Sequence, residues 1–307
     1  MLASFLAALA DFHRRMLTVY LVVLGPRLSY RLTAALARWL YAIVPVLRER
    51  SEAHCRAALA GRVPPDQVAR IAAASFVHRI HSLVDLLLAD RLLHRGTFHR
   101  YGGRMNDAER ERLLDAQRRG QPLILLSSYY GPFDLLPTML SFNGVRALAV
   151  YRPHANPRFD AVRQRVRARG GCEFVTVEQA VSRVPAVLES GGTVALIADH
   201  HAEGRGIETT FLGLPTRALK TVGLLAMQYR AVIVVSGIRR VGQQFRFELI
   251  MGDLVRPREW EDQPDPVRYI TERYLRALER IVYADPTQYV WASDRWGEQT
   301  AAQLTGA

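Results

Sequence analysis

Apolar positions recur at three- and four-residue steps over the first 24 residues: Leu2, Phe5, Leu6, Leu9, Phe12, Met16, Leu17, Tyr20, Leu21 and Leu24. That period predicts a helix, and Gly25-Pro26 stops it. A second periodic segment carries Leu28, Leu32, Leu36, Trp39, Leu40, Ile43 and Leu47, decorated by Arg27, Arg31, Arg38, Arg48 and Arg50. Two amphipathic helices rich in arginine and aromatics suit an anionic membrane surface. Helices packed on the protein's own core have the same period, so the pattern leaves both readings open.

Pro64-Pro65-Asp66 opens a third helix with Asp66 as its expected cap and a stripe of Val68, Ile71, Phe76, Ile80, Leu83 and Leu87. Its His78 and His81 read as surface or core. Asn106 with Glu109 resembles a capping box, and Gly120 ends that helix. From there the period changes. Short apolar runs at 123–126, 147–151, 173–177, 194–198, 232–236 and 245–250 predict strands. Helical stretches at 159–169, 178–190 and 219–229 separate most of them, and a long amphipathic helix over 266–283 closes the chain. Such alternation predicts an α/β fold, a central mostly parallel mixed sheet flanked by helices, with the amphipathic helices at its N-terminus. The last two strands are close enough to form a hairpin. The expected division is residues 1–50 as membrane-associated helices and 51–307 as the α/β domain.

The 307 residues and 49% hydrophobic content fit a packed globular protein. The net charge of +12 comes almost wholly from arginine, since Lys220 is the one lysine. Such an excess follows from arginine-rich codon usage, or from an anionic partner such as a membrane surface or an acidic carrier protein. The arginines are scattered and no nucleic-acid motif appears, so a nucleic-acid partner is not expected. Cys55 and Cys172 stand in no metal-ligand spacing. The apolar run "MLTVYLVVLGP" has about half the length that crosses a bilayer.

In an open α/β sheet, ligands gather at the carboxyl ends of the strands. Three segments fall there. The first, Ser127-Ser128-Tyr129-Tyr130-Gly131-Pro132-Phe133-Asp134, places Asp134 in the first turn of a helix, from which it reaches back towards Tyr129. The second, Tyr151-Arg152-Pro153-His154-Ala155-Asn156-Pro157, offers a guanidinium suited to a phosphate or carboxylate. The third, Ala198-Asp199-His200-His201-Ala202-Glu203-Gly204-Arg205-Gly206, has two adjacent histidines. Their side chains point apart and no second cluster accompanies them, so no metal is expected.

These segments, here "SYYGPFDL", "YRPHANP", "ADHH" and "FLGLP", together with the closing "PTQYVWASDRW", resemble the lipid A biosynthesis (lauroyl and myristoyl) acyltransferases, a family within the glycerolipid acyltransferase superfamily. The resemblance spans nearly the whole chain. It implies transfer of a fatty acyl group from an acyl-carrier-protein or coenzyme A thioester to a lipid-like acceptor. It implies a peripheral site on the cytoplasmic face of a bacterial inner membrane, and neither cofactor nor metal. Catalytic roles are implied for Asp134 and for the position of Tyr129, where the family carries a histidine separated from the acid by four residues. Arg152, Asn156, Asp199 and Ser128 are implied as substrate-binding residues.

A phenol of pKa near 10 is only about one part in a thousand ionised at neutral pH, and a carboxylate beside it raises that pKa further. Three explanations of Tyr129 stay open. The base comes from elsewhere on the rim, with His200 or His201 first and His154 next. Alternatively Tyr129 acts with help from Arg152. In the third, the chain binds lipid or acyl carrier without turnover.

Overall fold

The structure, a computed structural model, describes residues 2–154, 156–202, 204, 206–293 and 295–297. Three helices come first: α1 (Leu2–Ile43), α2 (Pro45–Ala58) and α3 (Pro65–Leu92). α1 is broken where expected, at Gly25, whose φ of 73° is followed by Pro26. Its second half ends at Ile43, and residue 50 lies inside α2. Pro64 rather than Asp66 is the N-cap of α3; Asp66 lies in the first turn, where the helix dipole favours a carboxylate.

The second half of α1 packs on α3 by a face that its apolar stripe does not mark. Ser29, Tyr30, Ala34 and Ala37 are buried, while Leu28, Leu32, Leu36, Trp39 and Ile43 are exposed. The cause is polar. The Tyr30 hydroxyl donates to Asp85 of α3, which also accepts from the Arg240 guanidinium, and all three side chains are fully buried. A buried charge pair must find its partners, so it fixes the helix's rotation. Small Ala34 and Ala37 then let α1 approach Val77 closely. The stripe's side chains before Val19, Met16 apart, and that of Leu47 lie outside the described residues. α3 is the one described helix long and apolar enough to span a bilayer, and 56% of that window is buried, as in a core helix.

Helix α4 (Asp107–Arg118) is capped by Asn106, whose Oδ1 accepts from the Ala108 amide at 2.9 Å. The chain then alternates through β1 (Leu123–Ser127), α5 (Leu136–Phe142), β2 (Leu148–Tyr151), α6 (Pro157–Ala168), β3 (Glu173–Thr176), α7 (Val177–Glu189) and β4 (Thr193–Ile197). It continues through β5 (Ile207–Phe211), β6 (Leu214–Ala218), α8 (Thr221–Gln228), β7 (Val232–Arg240), β8 (Phe247–Val255) and α9 (Pro266–Ala284). The main sheet has the order β3-β2-β4-β1-β7-β8, parallel except for the antiparallel β7–β8 pair.

Successive strand residues alternate faces, and the core divides accordingly. Leu123 and Leu125 face α3, α5 and α6; Ile124 and Leu126 face α2, α7, α8 and α9. The separate β5–β6 hairpin was not anticipated. Its turn is Leu212-Gly213, with φ of 53° and 77°, the positive values that a two-residue hairpin needs. The Leu212 amide is secured by Glu279 Oε1 at 2.6 Å.

Candidate active site

Strands β1, β2 and β4 end together, and their following loops line a cavity of about 910 Å³. The loop after β1 turns at Gly131, φ 57°, where an added Cβ would lie 2.0 Å from the Ile238 carbonyl oxygen. Only glycine fits. The closing stretch, of which Asp294 lies outside the described residues, pins this loop from behind. Gly131 N donates to Gln288 O at 2.9 Å, and Val290 N donates to Tyr129 O at 3.1 Å.

Tyr129 projects into the cavity. Its hydroxyl lies 3.3 Å from His200 Nε2, and the two rings meet edge to face. His201 turns the other way. Its Nδ1 is 3.3 Å from Thr216 Oγ1, its ring lies against Gly297, and it does not line the cavity. The two histidines point apart because they are adjacent in an extended segment; only His200 meets Tyr129. His154 lies at the rim, its Nδ1 accepting from the Asn156 amide.

Asp134 does not reach back to the phenol. Its Oδ1 accepts from Arg163 Nη2 at 2.6 Å, Arg163 Nε at 3.1 Å and Arg167 Nη2 at 3.1 Å. Both arginines lie on α6, four apart and so on one face. Arg167 is buried and stacks over Tyr151 and Phe174, each 4.6 Å from its Cζ. The sequence signal for this clamp is the run "RQRVRA" inside the predicted 159–169 helix, where Arg163 and Arg167 stand one helical turn apart.

Asp199 is buried behind the site. Its Oδ2 accepts from the Tyr129 amide at 3.0 Å and from the Tyr289 hydroxyl at 3.2 Å. It therefore holds the backbone of Tyr129 and does not line the cavity. Ser128 is buried and likewise outside the lining, whereas its neighbour Ser127 lines it. Asn156 Oδ1 accepts from the Phe159 amide at 3.3 Å, at the start of α6. Arg152 is exposed at the mouth. Among the described residues, no group of three or more metal-ligating side chains gathers.

A family model, bacterial lipid A biosynthesis acyltransferase, matches residues 8–298. The chain belongs to that family. Membership supports acyltransferase activity on lipid acceptors. No curated protein matches the sequence. Among solved structures, the 1-acyl-sn-glycerophosphate (LPA) acyltransferase PlsC from Thermotoga maritima aligns over 84% of this chain and 98% of its own, at 12% identity and a TM-score of 0.34.

The electrostatics of this family member assign different states to the two rings. Burial, and then the Asp199 carboxylate, push the Tyr129 phenol up to about 12, although Arg152 opposes them. The phenol therefore stays protonated and is a donor at neutral pH. Burial, then Arg152 and Arg295, pull His200 down to about 4. The imidazole is neutral at neutral pH and has a lone pair to offer. Burial raises Asp199 to about 6, with Arg295 as the main opposing charge.

Proposed function

We propose that the chain moves a fatty acyl group from an acyl-carrier-protein or coenzyme A thioester to a lipid-like acceptor, through an altered motif in which Tyr129 stands where the family carries its histidine. The observation that carries this reading is the neutral His200 Nε2 beside the Tyr129 hydroxyl inside a mostly apolar cavity.

His200 Nε2 takes the proton from the acceptor hydroxyl as its oxygen attacks the thioester carbonyl carbon. The new carbon–oxygen bond forms, and the carbonyl oxygen gains negative charge. The protonated Tyr129 hydroxyl turns from His200 to donate a hydrogen bond to that oxygen. On collapse the carbon–sulfur bond breaks, and the thiolate takes the proton held by His200. The products are an acyl ester and a free thiol.

Asp134 holds Arg163 and Arg167 in place, and Asp199 holds the backbone of Tyr129. Arg152 at the mouth suits an anionic group of donor or acceptor. Helix α1 is the membrane-associated part and the chain from α2 onward the acyl-transfer part. The exposed stripe of Leu28, Leu32, Leu36, Trp39 and Ile43, with Arg27, Arg31 and Arg38 also exposed, suits the acidic surface of a bacterial inner membrane on its cytoplasmic face. The net charge of +12 favours an acidic donor protein at that surface.

The test is thiol release from acyl-carrier-protein and coenzyme A thioesters, with extracted bacterial lipids as acceptor. Release coupled to a newly acylated lipid is expected. Saturable thioester binding with no release from either donor would identify a binding protein instead.

A further inference from the structure

We propose that a second cavity, between α1, α3 and the turn joining β7 to β8, binds a phosphate ester that carries a neighbouring hydroxyl, such as a phosphoglycerol group. This cavity shares no lining residue with the one at the strand ends, and the inference does not depend on acyl transfer.

The cavity has a volume of about 320 Å³. Its polar lining comes from Arg38 of α1, from Arg70, His78 and His81 of α3, and from Gln243 of the turn. Arg79, next to His78, faces the strand-end cavity instead, so α3 separates the two sites. Among the described residues, no carboxylate lines this second cavity. Arg38 is exposed and forms no ion pair with a described residue. Arg70 meets Asp66 at 3.7 Å, but both side chains are 75% exposed, and such a contact holds little. Asp285, whose charge reaches His78, is engaged by Thr287 and Gln288 and lies outside the lining. Two guanidinium groups at a concave wall without a fixed counter-charge suit the oxygens of a phosphate.

The two histidines add a finer requirement. His78 Nδ1 lies 2.9 Å from Arg240 Nη1. A guanidinium only donates, so Nδ1 accepts and the ring proton sits on Nε2. His81 is the reverse. Its Nε2 lies 3.1 Å from the Tyr30 carbonyl oxygen, which only accepts, so Nε2 donates and the lone pair is left on Nδ1. Burial, and then the Arg240 charge, pull His78 down to about 4 and His81 to about 3, so both rings are neutral. Their centroids are 6.2 Å apart, and one small group can touch both. The site therefore offers two cations, one neutral donor and one neutral acceptor. Phosphate oxygens match the first three. The acceptor calls for a hydroxyl, which a carboxylate or a bare sulfate lacks. The volume lies at the small end for ligand pockets, which suits a phosphate with a short polyol. A phospholipid headgroup and a free phosphate ester present this same chemistry. Arg38 adjoins Trp39 of the exposed α1 stripe, so a headgroup reaches the cavity when that stripe lies on a bilayer.

The probe is glycerol 3-phosphate, titrated calorimetrically into the full chain at constant ionic strength. One saturable site is expected. Arg38→Gln, and Ala74→Phe, which fills the cavity without changing charge, should each weaken it by about tenfold or more. Ala73→Leu repeats the filling arm if Ala74→Phe fails to fold. Arg112→Gln, an exposed arginine of α4 away from the cavity, should leave binding unchanged. Absence of saturable binding, or equal weakening by Arg38→Gln and Arg112→Gln, would overturn the proposal. The source is read by flotation with phosphatidylcholine–phosphatidylglycerol vesicles. Release of bound protein by glycerol 3-phosphate, but not by chloride at equal ionic strength, assigns the site to a lipid headgroup. Saturable binding of the soluble probe without such release supports the site and assigns it to a free phosphate ester.

Discussion

The Tyr129 hydroxyl lies 3.3 Å from His200 Nε2, and Arg152 is the foremost charge that lowers the imidazole's pKa after burial. A base of pKa about 4 is ready over the whole neutral range and is lost only in acid. The rate kcat/KM should therefore be flat near neutrality and fall as pH drops through about 4. Arg152→Gln removes a positive neighbour, so the acid limb should move upward towards the ordinary histidine value of about 6.5. A pH–rate profile of thioester turnover checks this. An acid limb that does not respond to Arg152→Gln would mean that another group titrates.

Asp199 has a pKa raised from 3.8 to about 6, mainly by burial. The folded state then holds this proton more tightly than the unfolded chain. Its contribution to stability is most favourable below about pH 4 and declines as pH rises towards about 6. The displacement is worth roughly 3 kcal/mol at most. Asp199→Asn retains an oxygen to accept from the Tyr129 amide and the Tyr289 hydroxyl, but it does not ionise. Denaturant unfolding at several pH values should show the variant gaining on the parent protein across this window. A difference that is the same at every pH would refute the assignment.

Asp85 and Arg240 are both fully buried and paired, with Tyr30 as a third partner. Asp85→Ala leaves a buried guanidinium without its counter-charge, which should cost about 3–5 kcal/mol. The double variant Asp85→Leu with Arg240→Met replaces both charges by apolar groups and should recover most of that loss. Unfolding free energies of the three proteins form the test; a double variant no more stable than Asp85→Ala would argue against a coupled pair.

Trp39 and Leu36 are 58% and 53% exposed on α1. Trp39→Glu with Leu36→Glu should leave the melting temperature nearly unchanged, because neither side chain supports the core. Binding to anionic vesicles should fall by at least about 10²-fold, since each apolar side chain that enters the interface is worth about 1.5–3 kcal/mol. Unchanged cosedimentation would place the membrane contact elsewhere.

The sheet was legible because its central strands β1 and β7 are largely buried on both faces and read as short apolar runs, bounded by helices of clear period. Each of the six strands of the main sheet overlaps its predicted run, but β7 and β8 extend four and five residues beyond theirs. The hairpin of β5 and β6 was not legible: its strands alternate with polar residues, and Leu212 occupies a left-handed turn position usually taken by glycine or asparagine. The rotation of α1 was hidden as well, because it follows from one long-range contact, Tyr30 to Asp85, rather than from the helix's own stripe. At the site, order along the chain brought Tyr129, Arg152 and His200 to one rim. It did not reveal that Asp134 would be taken by Arg163 and Arg167, or which of the two diverging histidines would face the cavity. Those outcomes depend on which arginines of α6 face β1, a matter of packing.

Thiol release by the parent protein, Tyr129→Phe and His200→Ala with one thioester donor and one lipid extract tests the assignment of the base most directly. Loss of about 10²–10⁴-fold in kcat is expected for His200→Ala, with no acid limb near pH 4 in what remains. Tyr129→Phe should be slower than the parent protein yet keep that limb. Full activity in His200→Ala, with activity abolished in Tyr129→Phe, would contradict the account.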